Sequence, residues 1–125
     1  MRRIVSGNER GQALVELAIA LPLLILILMG IFEFGRAFYT YQVVTNASRE
    51  GARVAALGGS NSEVAARASS AASLAGPAEV SVSPQGTRSR GQPVTVTVSA
   101  RVDVAIPFFA AQSYTVRGST TMMVE

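Results

Sequence analysis

The chain has 125 residues, is 49% apolar and only 15% charged, and contains no Cys, His, Lys or Trp, so its 11 positive charges are all Arg, set against 8 acidic residues for a net +3. That length admits one small domain plus one extra element and excludes a multidomain enzyme. The missing side chains exclude a zinc site of the usual kind, a thiol nucleophile, an imidazole base, a Walker A motif and a Schiff base, and they imply no cofactor.

A basic balance raises the question of nucleic acid, so the charge has to be located. Arg2, Arg3 and Arg10 stand against Glu9 at the start, and from Gln12 onward arginines and carboxylates nearly cancel. No basic stripe is left to neutralise a phosphate backbone, and no nucleic-acid partner is expected. The serines have no His or Lys to act as base, Asp103 is a lone aspartate, and the glutamates are scattered. Neither catalysis nor a small-molecule substrate is expected.

From Ala13 to Phe32 the sequence ALVELAIALPLLILILMGIF has one charge, Glu16. A helix of that length spans ~30 Å, the hydrocarbon thickness of a bilayer, so it can cross once. The apolar run is too long for a cleaved secretory signal and lacks an A-x-A site after it. Pro22 removes a backbone donor and crowds the carbonyl of Ala18, so a kink is expected there. Three arginines precede the span and Arg36, Arg49 and Arg53 follow it, which leaves orientation open by charge alone.

Beyond the span the helical pattern continues. Phe34, Phe38, Tyr41, Val44, Ala47 or Ser48, Gly51 and Ala55 recur at spacings of three and four, which predicts one apolar face running to about Leu57. Glu33 with Arg36, and Glu50 with Arg53, are expected to pair on the wetter side. Together with Arg49 they form a polar surface that serves either as a solvated face or as a docking surface for a partner. Gly58-Gly59 supplies the helix end.

Ser60-Asn61-Ser62-Glu63 matches a capping box and opens a short helix with a thin stripe of Val64, Ala68, Ala71 and Ala75, ending at Gly76-Pro77. Three strand-like runs follow, Glu79 to Ser83, Val94 to Ala105 and Ser113 to Val124. In the middle run Val94, Val96, Val98, Val102 and Val104 alternate with polar residues, so one face is buried. Pro84 to Gln92 reads as a mobile hairpin loop and Ile106-Pro107-Phe108-Phe109 as an apolar connection. The expected fold is α+β and membrane-anchored: a long N-terminal transmembrane helix continuing outside the membrane, a short helix, and a small three-stranded antiparallel sheet. The stripe of Phe34, Phe38, Tyr41 and Val44 is expected to cover that sheet. The division is residues 1–11, residues 12–57 with the span at about 13–32, and a small α+β domain at 58–125.

A carboxylate inside an apolar span costs roughly 2–3 kcal/mol at mid-helix and is a functional candidate by default. The segment Arg10-Gly11-Gln12-Ala13-Leu14-Val15-Glu16 resembles a type III prepilin signal: a short basic leader, a Gly, and an apolar stretch with Glu five positions later. More specifically, residues 11–18, Leu21-Pro22-Leu23-Leu24, Glu33-Phe34-Gly35-Arg36 and residues 46–53 look like the TadE-like family of the tight-adherence (Tad/Flp) pilus machinery. Leu17 stands where that family often has Phe. The resemblance covers about Gly11 to Ala56, and the β-rich tail agrees with it in size and order.

The resemblance implies a pilin-like pseudopilin or minor pilin with a structural role in pilus assembly and cell adhesion. It places the chain in the bacterial cytoplasmic membrane with the N-terminus cytoplasmic, and leaves open whether the chain enters a pilus. It implies a prepilin peptidase that cuts between Gly11 and Gln12, and other pilin or pseudopilin subunits and the assembly platform as partners beside the lipid bilayer. Glu16 becomes the assembly residue. The rival reading is an uncleaved membrane-tethered binding module whose loop near Arg88 and Arg90 recognises a ligand or surface.

Overall fold

The computed structural model describes residues 8–125. The leader residues Arg2 and Arg3 lie outside the described residues. One continuous helix, α1, runs from Asn8 to Ala56 and passes through Pro22 as helix. Its 49 residues correspond to a rod ~73 Å long. It is long and apolar enough to cross a membrane, and none of its most apolar window is covered by the rest of the chain.

The end of α1 is fixed by local chemistry. Gly58 adopts φ 83°, a region that only glycine enters without strain. The Gly59 amide then reaches back to the Val54 carbonyl at 3.0 Å and the Gly58 amide to Ala55 at 3.2 Å, which is the Schellman pattern. Gly59 has no room for a side chain, since a Cβ there would lie 2.6 Å from Val54 Cγ1. The chain reverses directly into α2, Asn61–Ala71. Ser60 caps it as expected: its hydroxyl accepts from the Glu63 amide, and the Glu63 carboxylate accepts from the Ser60 amide at 2.7 Å.

The sheet is an antiparallel meander of β1 (Ala78–Ser83), β2 (Pro93–Val104) and β3 (Gln112–Met123), with β2 in the centre. Register pairs Val98 with Val80 on one side and Gly118 on the other. The alternation in β2 is realised, with Val94, Val96, Val98, Ala100 and Val102 buried on one face. The two helices cover that face: α1 lies over β2 and β3, and α2 lies beside α1 toward β1.

Of the expected apolar face of α1, the small-residue half from Val44 to Ala55 is buried and the aromatic half is not. Phe34, Phe38 and Tyr41 remain 74%, 54% and 48% exposed, and of the expected four only Val44 enters the core. The buried stripe is Thr40, Val44, Ala47, Ser48, Gly51 and Ala55, joined by Ala52 and Ala56 toward α2. Small residues won because the helix lies almost on the backbone of β3: a Cβ on Gly118 would meet the Thr45 Cα and N at 2.6 Å. At that separation there is no room for aromatic rings. The Ser48 hydroxyl, buried at the same contact, bridges to Thr120 Oγ1 at 2.7 Å and donates to the Thr45 carbonyl at 2.7 Å. The α1–α2 seam is equally tight, with Gly51 placed so that a Cβ would sit 3.0 Å from Val96 and 3.1 Å from Ala68. Ala72, the C-cap residue of α2, completes the buried row with Val64 and Ala68, while Ala71 and Ala75 are only partly buried.

The segment read as a mobile hairpin loop is tied down instead. Gly91 donates to the Val124 carbonyl at 2.8 Å, Val124 donates to Gln92 at 2.9 Å, and the Glu125 amide donates to Ala56 at 2.9 Å. These bonds tie the start of β2 to the end of β3, and the end of β3 to the end of α1.

Candidate functional site

The sequence-derived candidates fall into two groups along α1. Gly11, Gln12 and Glu16 lie within its first turns and are exposed. The Gln12 side-chain amide donates to Glu16 Oε1 at 3.3 Å, a long contact one turn apart. Glu16 lies on the helix surface with no atom of the folded portion near enough to bond it. Gly11 is helical, and a Cβ there would meet nothing within 4 Å.

The second group surrounds the point where α1 leaves its apolar stretch. The Arg36 guanidinium pairs with Glu33 at 2.7 Å and also donates to the Asp103 carbonyl of β2. The same arginine therefore satisfies a helix carboxylate and pins the lower end of the sheet to the helix. Sequence spacing found the Glu33 pair and had no means of finding Asp103, which is 67 positions away.

Glu50 does not pair with Arg53. Its carboxylate takes two donors from Arg67 of α2, at 3.0 and 3.3 Å. The i,i+3 partner is displaced because α2 folds back against α1 and brings the Arg67 guanidinium onto the Glu50 carboxylate. Arg49 and Arg53 are exposed. The five residues thus do not form one patch: Glu33 and Arg36 sit at the base of the sheet, Glu50 belongs to the helix seam, and Arg49 and Arg53 face solvent.

The two loop arginines of the rival reading also part company. Arg88 donates to the Gly59 carbonyl at 2.5 Å and to the Asn61 side chain, clamping the loop onto the α1–α2 corner. Arg90 is exposed. Among the described residues, no three His, Cys, Asp or Glu side chains come together as a metal-binding group. Glu63 is held below the usual carboxylate range by the Ser60 backbone amide first and the Ser60 hydroxyl second, which is a capping effect.

Geometry thus concentrates interest on α1 itself. Residues 11–53 match the family described as TadE-like protein. That stretch runs from the residue before Gln12 to the last turn of α1 and takes in Glu16, Glu33, Arg36, Arg49, Glu50 and Arg53. The TadE-like resemblance read from the residues is therefore shown over the long helix, and the family is a pilus-related structural one. Neither a curated protein nor a solved structure matches the chain.

Proposed function

We propose that this chain is a pseudopilin or minor pilin, a structural subunit for assembly of a Tad-type pilus or a related secretion system. The observation that carries the reading is the TadE-like match on a helix whose entire lower half is left free of its own chain. Residues 1–11 are the leader, 12–57 the helix with its span at about 13–32, and 58–125 the extracytoplasmic domain of a protein anchored in the bacterial cytoplasmic membrane.

The free face of α1 supplies the means of association. Phe34 lies 18 residues, or five full helical turns, beyond Glu16, so both project from one side of the rod. Leu23, Ile27 and Tyr41 fall close to the same line, and all of these large side chains are about half or more exposed apart from Ile27 and Tyr41 near that value, at 52% and 48%. An apolar stripe therefore continues from the span past its outer end, with one carboxylate near its base. It suits lateral packing against the helix of a second pilin or pseudopilin.

Peptidase hydrolysis of the Gly11–Gln12 bond consumes a water and leaves a cationic amine on Gln12. The Glu16 carboxylate of an adjacent subunit neutralises that amine inside the apolar bundle, where an unpaired charge is costly. A single subunit leaves Glu16 with only Gln12 as partner, and assembly improves on that.

The test is the intact mass of the chain recovered from membranes after co-expression with an active or an inactive prepilin peptidase. Loss of Met1 to Gly11 with the active enzyme alone is expected. Gly11→Ala should insert normally and stay uncut, and a mature-sized Gly11→Ala product refutes the assignment. Glu16→Val should be cut but should no longer co-purify with a pilin partner.

A further inference from the structure

The turn between β2 and β3 carries the most exposed aromatic residue of the chain's outer portion. Phe108 is 91% and Phe109 69% exposed. The turn is closed by the Phe109 amide donating to the Ile106 carbonyl at 3.1 Å, with Pro107 and Phe108 as its central residues. Phe108 has φ 69°, at the position where turns of this kind call for glycine or asparagine. A bulky ring there is costly to the backbone and gains no packing from its own chain. No residue between Asp103 and Arg117 is charged.

The level of this tip follows from register. Gly51 touches Val96 on β2, and Arg36 reaches Asp103 on the same strand. Fifteen helix residues cover ~22 Å and seven strand residues ~23 Å, so helix and strand run side by side in opposite directions at equal pace. Past Asp103 the strand keeps descending toward the span. Val104 ends the strand, and the ~7–10 Å of chain that leads from Asp103 into the turn reaches the level of about Met29 to Phe32, the outer end of the apolar run. The level of Asp103 itself bears the marks of a membrane–water boundary: the Glu33–Arg36 pair, with Tyr39 and Tyr114 about half exposed nearby, as in the aromatic belts of spanning helices.

We propose that the Ile106–Phe109 turn is a second membrane contact, inserting Phe108 and Phe109 into the outer leaflet beside α1 and fixing the tilt of the sheet on the bilayer surface. The occupant of this apolar surface is lipid, because the register brings the turn to the depth at which α1 enters lipid. The inference rests on the reading of residues 13–32 as a span and does not depend on the pilus assignment.

The absence of cysteine makes the experiment direct. Single variants Ala110→Cys, Leu24→Cys and Ser81→Cys of the full chain are labelled with an environment-sensitive fluorophore and reconstituted in phosphatidylcholine/phosphatidylglycerol vesicles with or without nitroxide-labelled acyl chains. Emission at 110 should be blue-shifted and quenched by shallow nitroxides, as Leu24 is by deep ones, while Ser81 stays water-like. In the Ala110→Cys background, Phe108→Gly with Phe109→Ser should abolish the quenching, and glycine keeps the turn feasible. Quenching at 24 without quenching at 110 overturns the proposal alone. A blue shift at 110 that grows with protein-to-lipid ratio and resists lipid nitroxides assigns the turn to a second copy and also overturns it. An unquenched Leu24 removes the span reading and the proposal together.

Discussion

Replacing Gly118 by alanine adds one methyl group where α1 lies almost on the backbone of β3. The new Cβ would lie 2.6 Å from the Thr45 Cα and N and 2.8 Å from the Val44 carbonyl carbon. Ordinary contact needs ~3.5–4.0 Å, so α1 has to lift off β3 by about 1 Å. The obstacle is helix backbone, which cannot rotate aside as a side chain would. Overpacking of this kind costs ~1–3 kcal/mol. The lift also lengthens the buried bridge between Ser48 and Thr120, now 2.7 Å, at a further cost of ~0.5–1.5 kcal/mol.

The combined ~1.5–4.5 kcal/mol corresponds to an increase of about 10- to 2000-fold in the opening equilibrium. Hydrogen exchange on the full chain in micelles reads it segment by segment. Amides of residues 112–123 should exchange faster by that factor, and those of 18–30 should not change. Gly35→Ala is the matched control, since a Cβ there meets nothing within 4 Å and alanine is the better helix former. Unchanged protection of β3 in Gly118→Ala would refute the claim that the small-residue face of α1 is set by backbone contact at Gly118.

Three further outcomes follow from the same geometry. Ser60→Ala should cost about 1 kcal/mol and show as faster exchange confined to residues 61–68. The Glu63 carboxylate is held below its ordinary range by its bonds to Ser60, so its contribution is present above the unfolded carboxylate value and is lost as pH falls through the lowered folded value. Exchange of α2, corrected for intrinsic rates, should therefore rise at acid pH in the parent chain and lose that dependence in Glu63→Gln. Arg88→Ala removes the clamp on Gly59 and Asn61 and should speed tryptic cleavage after Arg90 while leaving membrane association intact. An unchanged cleavage rate would mean that the other loop bonds suffice.

The fold was legible in the sequence wherever a pattern had one solution. Twenty apolar residues could only be a helix of membrane length, Ser60 to Glu63 could only be a cap, and the valine alternation in β2 could only present one buried face. The reading failed where two solutions existed. Outside the span the expected face joined Phe34, Phe38 and Tyr41 to Val44, Ala47 or Ser48, Gly51 and Ala55; its small-residue half is buried, continued by Thr40, and its aromatic half is not. The deciding residue is Gly118, on a strand 60 and more positions away, and no local period contains it. Arg67 and Asp103 escaped for the same reason. Glu50 and Arg36 have nearer candidates in sequence, and only the packing of α2 and β2 brings these partners in.

The choice of small residues for the inner face has a consequence for the outer one. Had Phe34, Phe38 and Tyr41 covered the sheet, α1 would have buried its largest side chains in its own domain and offered a neighbour only glycine, alanine and polar groups. The fold instead uses methyl-sized contacts and five fully buried valines, each contributing about 1.5–3 kcal/mol. That thin core leaves every aromatic of the helix outward, with Phe34, Phe38 and Tyr41 on the side that Glu16 shares. Apolar surface is thereby left exposed along α1 and at Phe108, where the proposed contacts would use it. Enlarging the inner face, as in Gly51→Val, where a side chain would meet both Val96 and Ala68, should therefore weaken the domain and leave the outward stripe on the span intact. A subunit so altered should still insert and still be cut at Gly11, with its sheet amides exposed to exchange; loss of insertion would mean that the two faces of α1 do not act independently.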